Sequence, residues 1–365
     1  MCGAGRGPWN GVSRDRWDDW EWQIGHRIRS LDGLASALGQ PASSLAACGP
    51  VTRLYPLAVT PYYLSLAHGA GPDDPLRRQC FPDLRELDPS PGESDDPLGE
   101  EQAMPVPGLI HRYPDRCLFV VTGACAVYCR HCNRKRIWCR ESPRGPGQGL
   151  QPMIDYVART PSLREVIISG GDPLLLPDGL LDGLLGALRA IPHVEVLRIG
   201  SRAPVTLPMR VTAALCAVLK RHRPLWFNTQ FNHVREITPE SSRACEQLLM
   251  AGIPVSNQSV LLRGVNDDVG TMRDLLIGLE RISVRPYYLF HCDPVRGTGH
   301  FRVGVGEGVT IMEQLRRGIS GLCLPRYVLD LPGDGGKVPL GHVMGSARGE
   351  AGNEQHSFDK RDRMD

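Results

Sequence analysis

The chain has 365 residues, of which 41% are hydrophobic and 22% charged, and its formal charge at neutral pH is +2. That length allows one large or two ordinary folded units with a sizeable core, and the near balance of charge gives no electrostatic case for nucleic acid or a membrane surface. No eighteen apolar residues run together, and residues 1–70 contain no basic stretch leading into an apolar one, so neither a span nor a secretory signal is expected and the cytoplasm is the default location.

Residues 1–107 read as an N-terminal helical region and a wrapping arm. In RWDDWEWQIGHRIRSLDGLASAL the residues Trp20, Ile24, Ile28, Leu31 and Leu34 recur at three and four, which predicts one apolar helical face. From Gly69 to Pro107 proline, glycine and acid dominate, as in GAGPDDP and DPSPGESDDP, and a loop running over the surface is expected.

Over 108–340 the short apolar runs CLFVVT, EVIISG, EVLRIG, LWFNTQ, PVSNQS and RPYYLF alternate with amphipathic segments, and YVLDL follows near the end. Pro177-Asp178 and Thr238-Pro239-Glu240 mark helix starts, and Gly252 marks a helix stop. This alternation predicts an α/β fold with a parallel sheet and helical crossovers, open or closed into a partial barrel. Residues 341–365 form a polar tail, expected to be poorly ordered.

In parallel α/β folds the residues just past the strand ends line the ligand site. Here they read TGACAVYCRHC, SGGDP, GSRAP, NTQFNH, NQSVLLRG and HCDP, far more polar and glycine-rich than turns alone require. Of twelve cysteines, only Cys125, Cys129 and Cys132 cluster tightly; Cys216 in AALCAVLK, for example, reads as a buried small hydrophobe.

The CxxxCxxC spacing can hold three irons of a [4Fe-4S] cluster and leave the fourth iron open to an outside ligand. A closed zinc site with His131 as fourth ligand is the other metal reading, and three idle thiols the plain one. ISGGDP, Ile168 to Pro173, offers adjacent glycines for close backbone approach and then a carboxylate, suited to an amino acid's ammonium such as that of S-adenosylmethionine, or to a simple turn. LPGDGGKVPL leaves Lys337 after a glycine-rich turn, either solvated or sheltered enough to form a Schiff base. Asp293 and Asp330 end the last two strands and should face one cavity, where together they would favour a ligand with a distal positive charge.

With Cys125, Cys129 and Cys132 in CAVYCRHCNRKR, the chain resembles the radical S-adenosylmethionine enzymes, and the wider text narrows this to the lysine 2,3-aminomutase family. The resemblance runs from DWEWQIGHRIRS through HRYPDRCLFVVTGACAVYCRHCNRKR, IISGGDPLLL, RIGSRAPVTLPMRVT, WFNTQFNHVREIT and HCDPVRGTGHFRVGVGEG to SGLCLPRYVLDLPGDGGKVPL, about residues 17 to 340. It implies a partial (βα)6 TIM-type barrel that holds a [4Fe-4S] cluster, S-adenosylmethionine and pyridoxal 5'-phosphate.

Carried over by position, Cys125, Cys129 and Cys132 would ligate the cluster. Ser169, Gly170, Gly171 and Asp172 would line the methionine end of S-adenosylmethionine, with Gln258 nearby. Lys337 matches the lysine that binds pyridoxal phosphate, and Arg112 and Arg116 match residues near its phosphate. Arg134 would grip the substrate carboxylate, and Asp293 and Asp330 would hold the distal ammonium of lysine. The implied reaction is cleavage of S-adenosylmethionine to a 5'-deoxyadenosyl radical, which abstracts hydrogen from C3 so that the α-amino group moves there.

L-lysine is the first substrate expectation and L-arginine the alternative; a radical reaction without amine migration, or a metal-binding module without catalysis, are the rivals. The implied partners are a small basic amino acid and an electron donor such as flavodoxin or ferredoxin. The family's C-terminal zinc site is missing on both sides, since its cysteine partner region reads GVNDDVG here and no cysteine follows Lys337, so no zinc is expected and a homo-oligomer is left open. Gln230 and Phe290 stand where the family often has His and Tyr, which predicts a reshaped pocket.

Overall fold

The strands alternate between side chains turned to the helices and side chains turned inward, as the period of two requires. In β3 (Glu165–Ser169) Val166 and Ile168 are buried in the main core, while Ile167 and Ser169 line the interior cavity. In β4 (Val196–Gly200) Leu197 and Ile199 do the same opposite Arg198 and Gly200. The computed structural model describes residues 6–139, 149–333 and 335–341, so the tail expected at 341–365 lies, apart from Gly341, outside the described residues.

The sheet has nine strands in sequential order. β2 (Arg116–Val120), β3, β4, β5 (Leu225–Thr229), β6 (Val255–Leu261), β7 (Arg285–His291) and β8 (Arg326–Leu331) pair in parallel. Helices α1 (Leu150–Ala158), α2 (Asp178–Arg189), α3 (Ala213–Arg221), α4 (Pro239–Met250), α5 (Val269–Arg281) and α6 (Val305–Gly318) lie in the successive connections, giving the six βα units that the sequence predicts. Two strands were not foreseen: β1 (Leu109–Tyr113) and β9 (Gly336–Pro339) pair antiparallel at the two ends. Across the gap between those ends, Arg112 on β1 reaches the Asp330 carboxylate at 3.4 Å and the Gly333 carbonyl at 3.4 Å, so the sheet is nearly closed into a barrel.

The predicted helix signals have physical counterparts. The Thr238 side chain accepts from Ser241 N with Pro239 in the first turn of α4, and Gly252 beyond its end has φ +74°, a conformation glycine adopts without penalty. Leu181, Leu184, Leu185 and Leu188 of α2 are all buried against the sheet, each worth about 2 kcal/mol relative to exposure. Cys216 is buried on α3.

The N-terminal region departs from the single apolar face expected from Trp20 to Leu34. Two short helices, Trp20–Gly25 and Leu31–Ala37, are separated by a stretch in which Ile28 pairs antiparallel with Val59. Ser30 caps the second helix through Gly33 N, so a side-chain cap restarts the chain where the spacing alone suggested continuity. The arm that follows is not confined to the surface: Leu76, Cys80, Glu86 and Glu100 are buried.

Candidate active site

The cysteine loop begins where β2 ends, and the loop after β3 is shaped to receive it. Gly171 N donates to Thr122 O at 2.6 Å and Asp172 N to Ala124 O at 2.7 Å. A Cβ on Gly170, which has φ +130°, would lie 2.7 Å from Thr122 O, and one on Gly171 would collide with the Ala124 carbonyl. The two glycines therefore admit the backbone of the cysteine loop itself, a use of the close approach that the sequence reading had assigned to a ligand.

Four cations within and after the cysteine triplet, Arg130 and Arg134 to Arg136, meet two buried carboxylates of the arm. Glu86 receives Arg130 Nε at 2.9 Å, Arg130 Nη2 at 2.7 Å and Lys135 Nζ at 2.8 Å. Glu100 receives Arg134 Nη2 at 2.6 Å and Arg136 Nη2 at 2.7 Å, and Arg134 Nε lies 3.0 Å from both of its oxygens. Burial alone would raise the Glu100 carboxyl, but Arg134 and Arg136 hold it down at about 2. The charge run is thus the seam that fastens the arm over the cysteine loop. Arg130, Lys135 and Arg136, which had no role in the sequence reading, are its members.

Every site residue expected from the sequence lines one cavity of about 550 Å³ on the inner side of the sheet. At one end stand Cys125, Cys129 and Cys132 with Ser169, Gly170, Gly171 and Asp172, and Gln258 lies on β6. Asp172 is buried with its carboxylate already engaged: Oδ1 accepts from Leu174 N at 3.0 Å and Ser201 Oγ at 2.7 Å, and Oδ2 from Arg202 N at 3.1 Å. Burial nonetheless pushes its pKa up. Arg202, which the sequence reading passed over within GSRAP, donates Nη1 to Cys129 Sγ at 2.8 Å and is anchored by Gln79 at 2.6 Å and Glu236 at 2.7 Å. Its position directly past a strand end was the available signal.

The donor chemistry at this end fits an iron-sulfur cluster. The three thiols of Cys125, Cys129 and Cys132 line one end of the cavity, and a four-iron cluster spreads such thiolates over separate irons. His131 Nε2 faces Asn232 Nδ2 at 3.2 Å.

At the other end Asp330 and Lys337 are direct cross-strand partners in the β8–β9 hairpin, and Lys337 Nζ lies 3.0 Å from Asp330 Oδ2. The glycine-rich turn sets this register, with Gly333 and Gly336 at positive φ. Lys337 Nζ is 3.3 Å from Tyr113 Oη, and the Arg116 guanidinium lies 3.7 Å from the centre of the same ring. One amine and two guanidiniums, Arg112 and Arg116, thus gather around Tyr113, a donor set that fits a phosphate-bearing carbonyl cofactor. Asp293 closes the distal wall: its Oδ2 accepts from Asn133 Nδ2 at 3.3 Å, while Oδ1 is buried with no partner among the described residues. Burial, and then the nearby Asp330 charge, push its pKa up to about 7. Gln230 and Phe290 also line the cavity, where Gln230 O accepts from Arg202 Nε and the Phe290 ring lies 5.7 Å from Lys337 Nζ.

No helix among the described residues is long and apolar enough to cross a membrane. Residues 119–276 match the model of the Radical SAM superfamily. The chain is 46% identical to L-lysine 2,3-aminomutase of Clostridium subterminale over 90% of its length and 79% of that protein. It is 46% identical to the L-lysine 2,3-aminomutase of Acetoanaerobium sticklandii over 90% of its length and 80% of that protein. Glutamate 2,3-aminomutase of Clostridioides difficile is 40% identical over 91% of the chain and 78% of that protein. The superfamily implies a [4Fe-4S] cluster and S-adenosylmethionine, and the relatives support migration of an amino group. The chain belongs to the lysine 2,3-aminomutase family of radical S-adenosylmethionine isomerases.

Proposed function

We propose that this enzyme is a pyridoxal phosphate-dependent 2,3-aminomutase that moves the α-amino group of L-lysine to C3. Relatives named for lysine and for glutamate both cover most of the chain, so likeness alone does not select the substrate. The observation that carries the choice is the pair Asp293 and Asp330 on one cavity wall, with Asp293 Oδ1 buried and unpartnered among the described residues. A distal carboxylate would bring no donor to that oxygen and would be repelled by it, whereas a distal cation supplies the missing partner.

Cys125, Cys129 and Cys132 would hold the cluster, which supplies the electron that cleaves S-adenosylmethionine. Ser169, Gly170, Gly171, Asp172 and Gln258 would border the methionine end. Because the Asp172 oxygens serve Ser201, Leu174 and Arg202, its contribution is to fix the loop that faces the ligand. Lys337 would carry pyridoxal phosphate, which supplies the unsaturation through which nitrogen migrates, and Arg112 and Arg116 would receive the phosphate. Arg134 keeps Nη1 clear of its contacts with Glu100, and that nitrogen would take the substrate carboxylate. The barrel and the arm fastened by Glu86 and Glu100 keep bulk water from the radicals. A cytoplasmic setting with a flavodoxin- or ferredoxin-type donor fits this chemistry.

The test is product analysis by mass spectrometry, under anaerobic reducing conditions, with L-lysine, L-arginine and L-glutamate offered separately. β-Lysine is the expected product. β-Arginine alone would move the assignment to the alternative, and β-glutamate alone would overturn the argument from the aspartates.

A further inference from the structure

The cavity also reaches the starts of the strands, away from the cysteine loop. There Arg116 and Glu165 open β2 and β3 as direct cross-strand partners, and Arg198 follows on β4. Arg198 lines the cavity with 20% of its side chain exposed, and a guanidinium drawn out of water is costly unless an acceptor meets it. Glu165 meets one nitrogen, Nη2. Among the described residues Nε and Nη1 make no hydrogen bond.

That sets Arg198 apart from the buried arginines that tie segments together. Arg130 spends all three nitrogens on Glu86, Tyr55 and Pro56, and Arg202 spends all three on Gln230, Cys129, Gln79 and Glu236. Its location selects the anion. Burial first, and the Arg116 charge among its neighbours, push the Arg198 pKa down, so the two guanidiniums are close. Arg116 in turn lies over the Tyr113 ring, whose hydroxyl is 3.3 Å from Lys337 Nζ. The carboxylates nearby are committed, Glu165 to Arg198 and Asp115 to Arg116 and Arg164. A phosphate ester presents three acceptor oxygens and roughly two negative charges, and it suits guanidiniums whose N–H groups are unspent.

We propose that Arg198 is a third binding residue for the cofactor's phosphate, held by Glu165 beside Arg116 at the strand-start end of the cavity. The inference rests on the reading of Lys337 as the carrier of pyridoxal phosphate. It gives the Arg198–Glu165 pair a ligand-binding task in place of a purely structural one, since the ion pair uses one nitrogen and aims the other two at the ligand.

The experiment titrates cluster-loaded protein, stripped of its pyridine cofactor, with pyridoxal 5'-phosphate and separately with pyridoxal, read by the visible absorbance gained on joining Lys337. Arg198→Gln alone would strand the Glu165 carboxylate, so the comparison is between Glu165→Gln and the double variant Glu165→Gln with Arg198→Gln. Glu165→Gln keeps the guanidinium and is expected to hold or raise the wild-type preference for the phosphorylated form. The double variant is expected to lose about tenfold or more of that preference, as for a lost hydrogen bond between charged groups, with pyridoxal binding unchanged. If the double variant does not fold, as judged by near-ultraviolet circular dichroism, Arg198→Lys is read against wild type, with a several-fold loss expected because a point charge replaces the planar donors. A double variant with the same preference as Glu165→Gln, or one that binds both compounds equally less well, overturns this inference while the cofactor reading stands; so does an unchanged preference in Arg198→Lys. A wild type that gains no absorbance with pyridoxal phosphate, or gains it equally after Lys337→Ala, overturns both.

Discussion

Replacing Glu86 by alanine removes the carboxylate at the centre of the seam between arm and cysteine loop. The Glu86 and Arg130 side chains are 0% exposed and that of Lys135 is 2% exposed. Breaking a buried ion pair by removing one partner costs about 3–5 kcal/mol, because the other charge stays desolvated. Here two cations lose one anion, and Arg130 cannot escape by deprotonation. About 3 kcal/mol is roughly two orders of magnitude in an equilibrium, a large share of the roughly 5–15 kcal/mol that holds a typical folded domain. Urea unfolding of the apoprotein, and iron content after anaerobic reconstitution, are expected to fall together in Glu86→Ala. A companion variant carrying Glu86→Leu, Arg130→Met and Lys135→Met is expected to recover most of the stability, since apolar groups carry no desolvation cost. Burial would raise the Glu86 carboxyl, but Arg130 and Lys135 hold it below its ordinary 4.5. Its contribution is therefore present above about pH 4.5 and is lost as pH falls through the lowered value. An unfolding midpoint and iron content unchanged in Glu86→Ala would refute the seam as a source of stability.

Lys337→Ala is expected to abolish both turnover and the pyridoxal absorbance of the purified protein; retained activity would favour a radical reaction without amine migration. Asp293, raised to about 7, must lose its proton to accept a cation, so lysine binding should tighten as pH rises through about 7 and release a proton near that value, a dependence that Asp293→Asn flattens in calorimetric titrations. In the free protein the same shift gives stability that is full below the ordinary 3.8 and is lost as pH rises through about 7. Arg202→Gln removes the hydrogen bond to Cys129 Sγ, and with Cys129 as a cluster ligand the midpoint potential in an electron-paramagnetic-resonance titration should fall, because such bonds to cluster sulfurs stabilise the reduced form.

The barrel strands β2 to β8 and the loops after them were legible because each carries a local signal, an apolar run followed by glycine and polar residues. That is also why the predicted site residues converge on one cavity. The β1 and β9 edges were less visible, since LIHRY and GKVP are short and their pairing depends on partners elsewhere in the chain. The break between Trp20 and Leu34 was hidden because the apolar spacing continued through it, while the competing bridge to Val59 is set by tertiary contact. Glu86 and Glu100 looked like members of an acidic surface arm. Only the cations of a loop 30 to 50 positions away explain why they are buried. Asn133 gave no signal of its own, because its meaning comes from Asp293, 160 residues further on.

The central claim is intramolecular migration of an α-amino group in a basic amino acid. Its most direct test is reaction of L-lysine carrying nitrogen-15 at the α-position and carbon-13 throughout its skeleton, mixed with unlabelled lysine, in the anaerobically reduced holoenzyme. The account predicts β-lysine in which the heavy nitrogen stays at C3 of the carbon-13 skeleton and does not reach the unlabelled one. Product in which that label is exchanged or lost, or no β-lysine from a fully loaded enzyme, would contradict it.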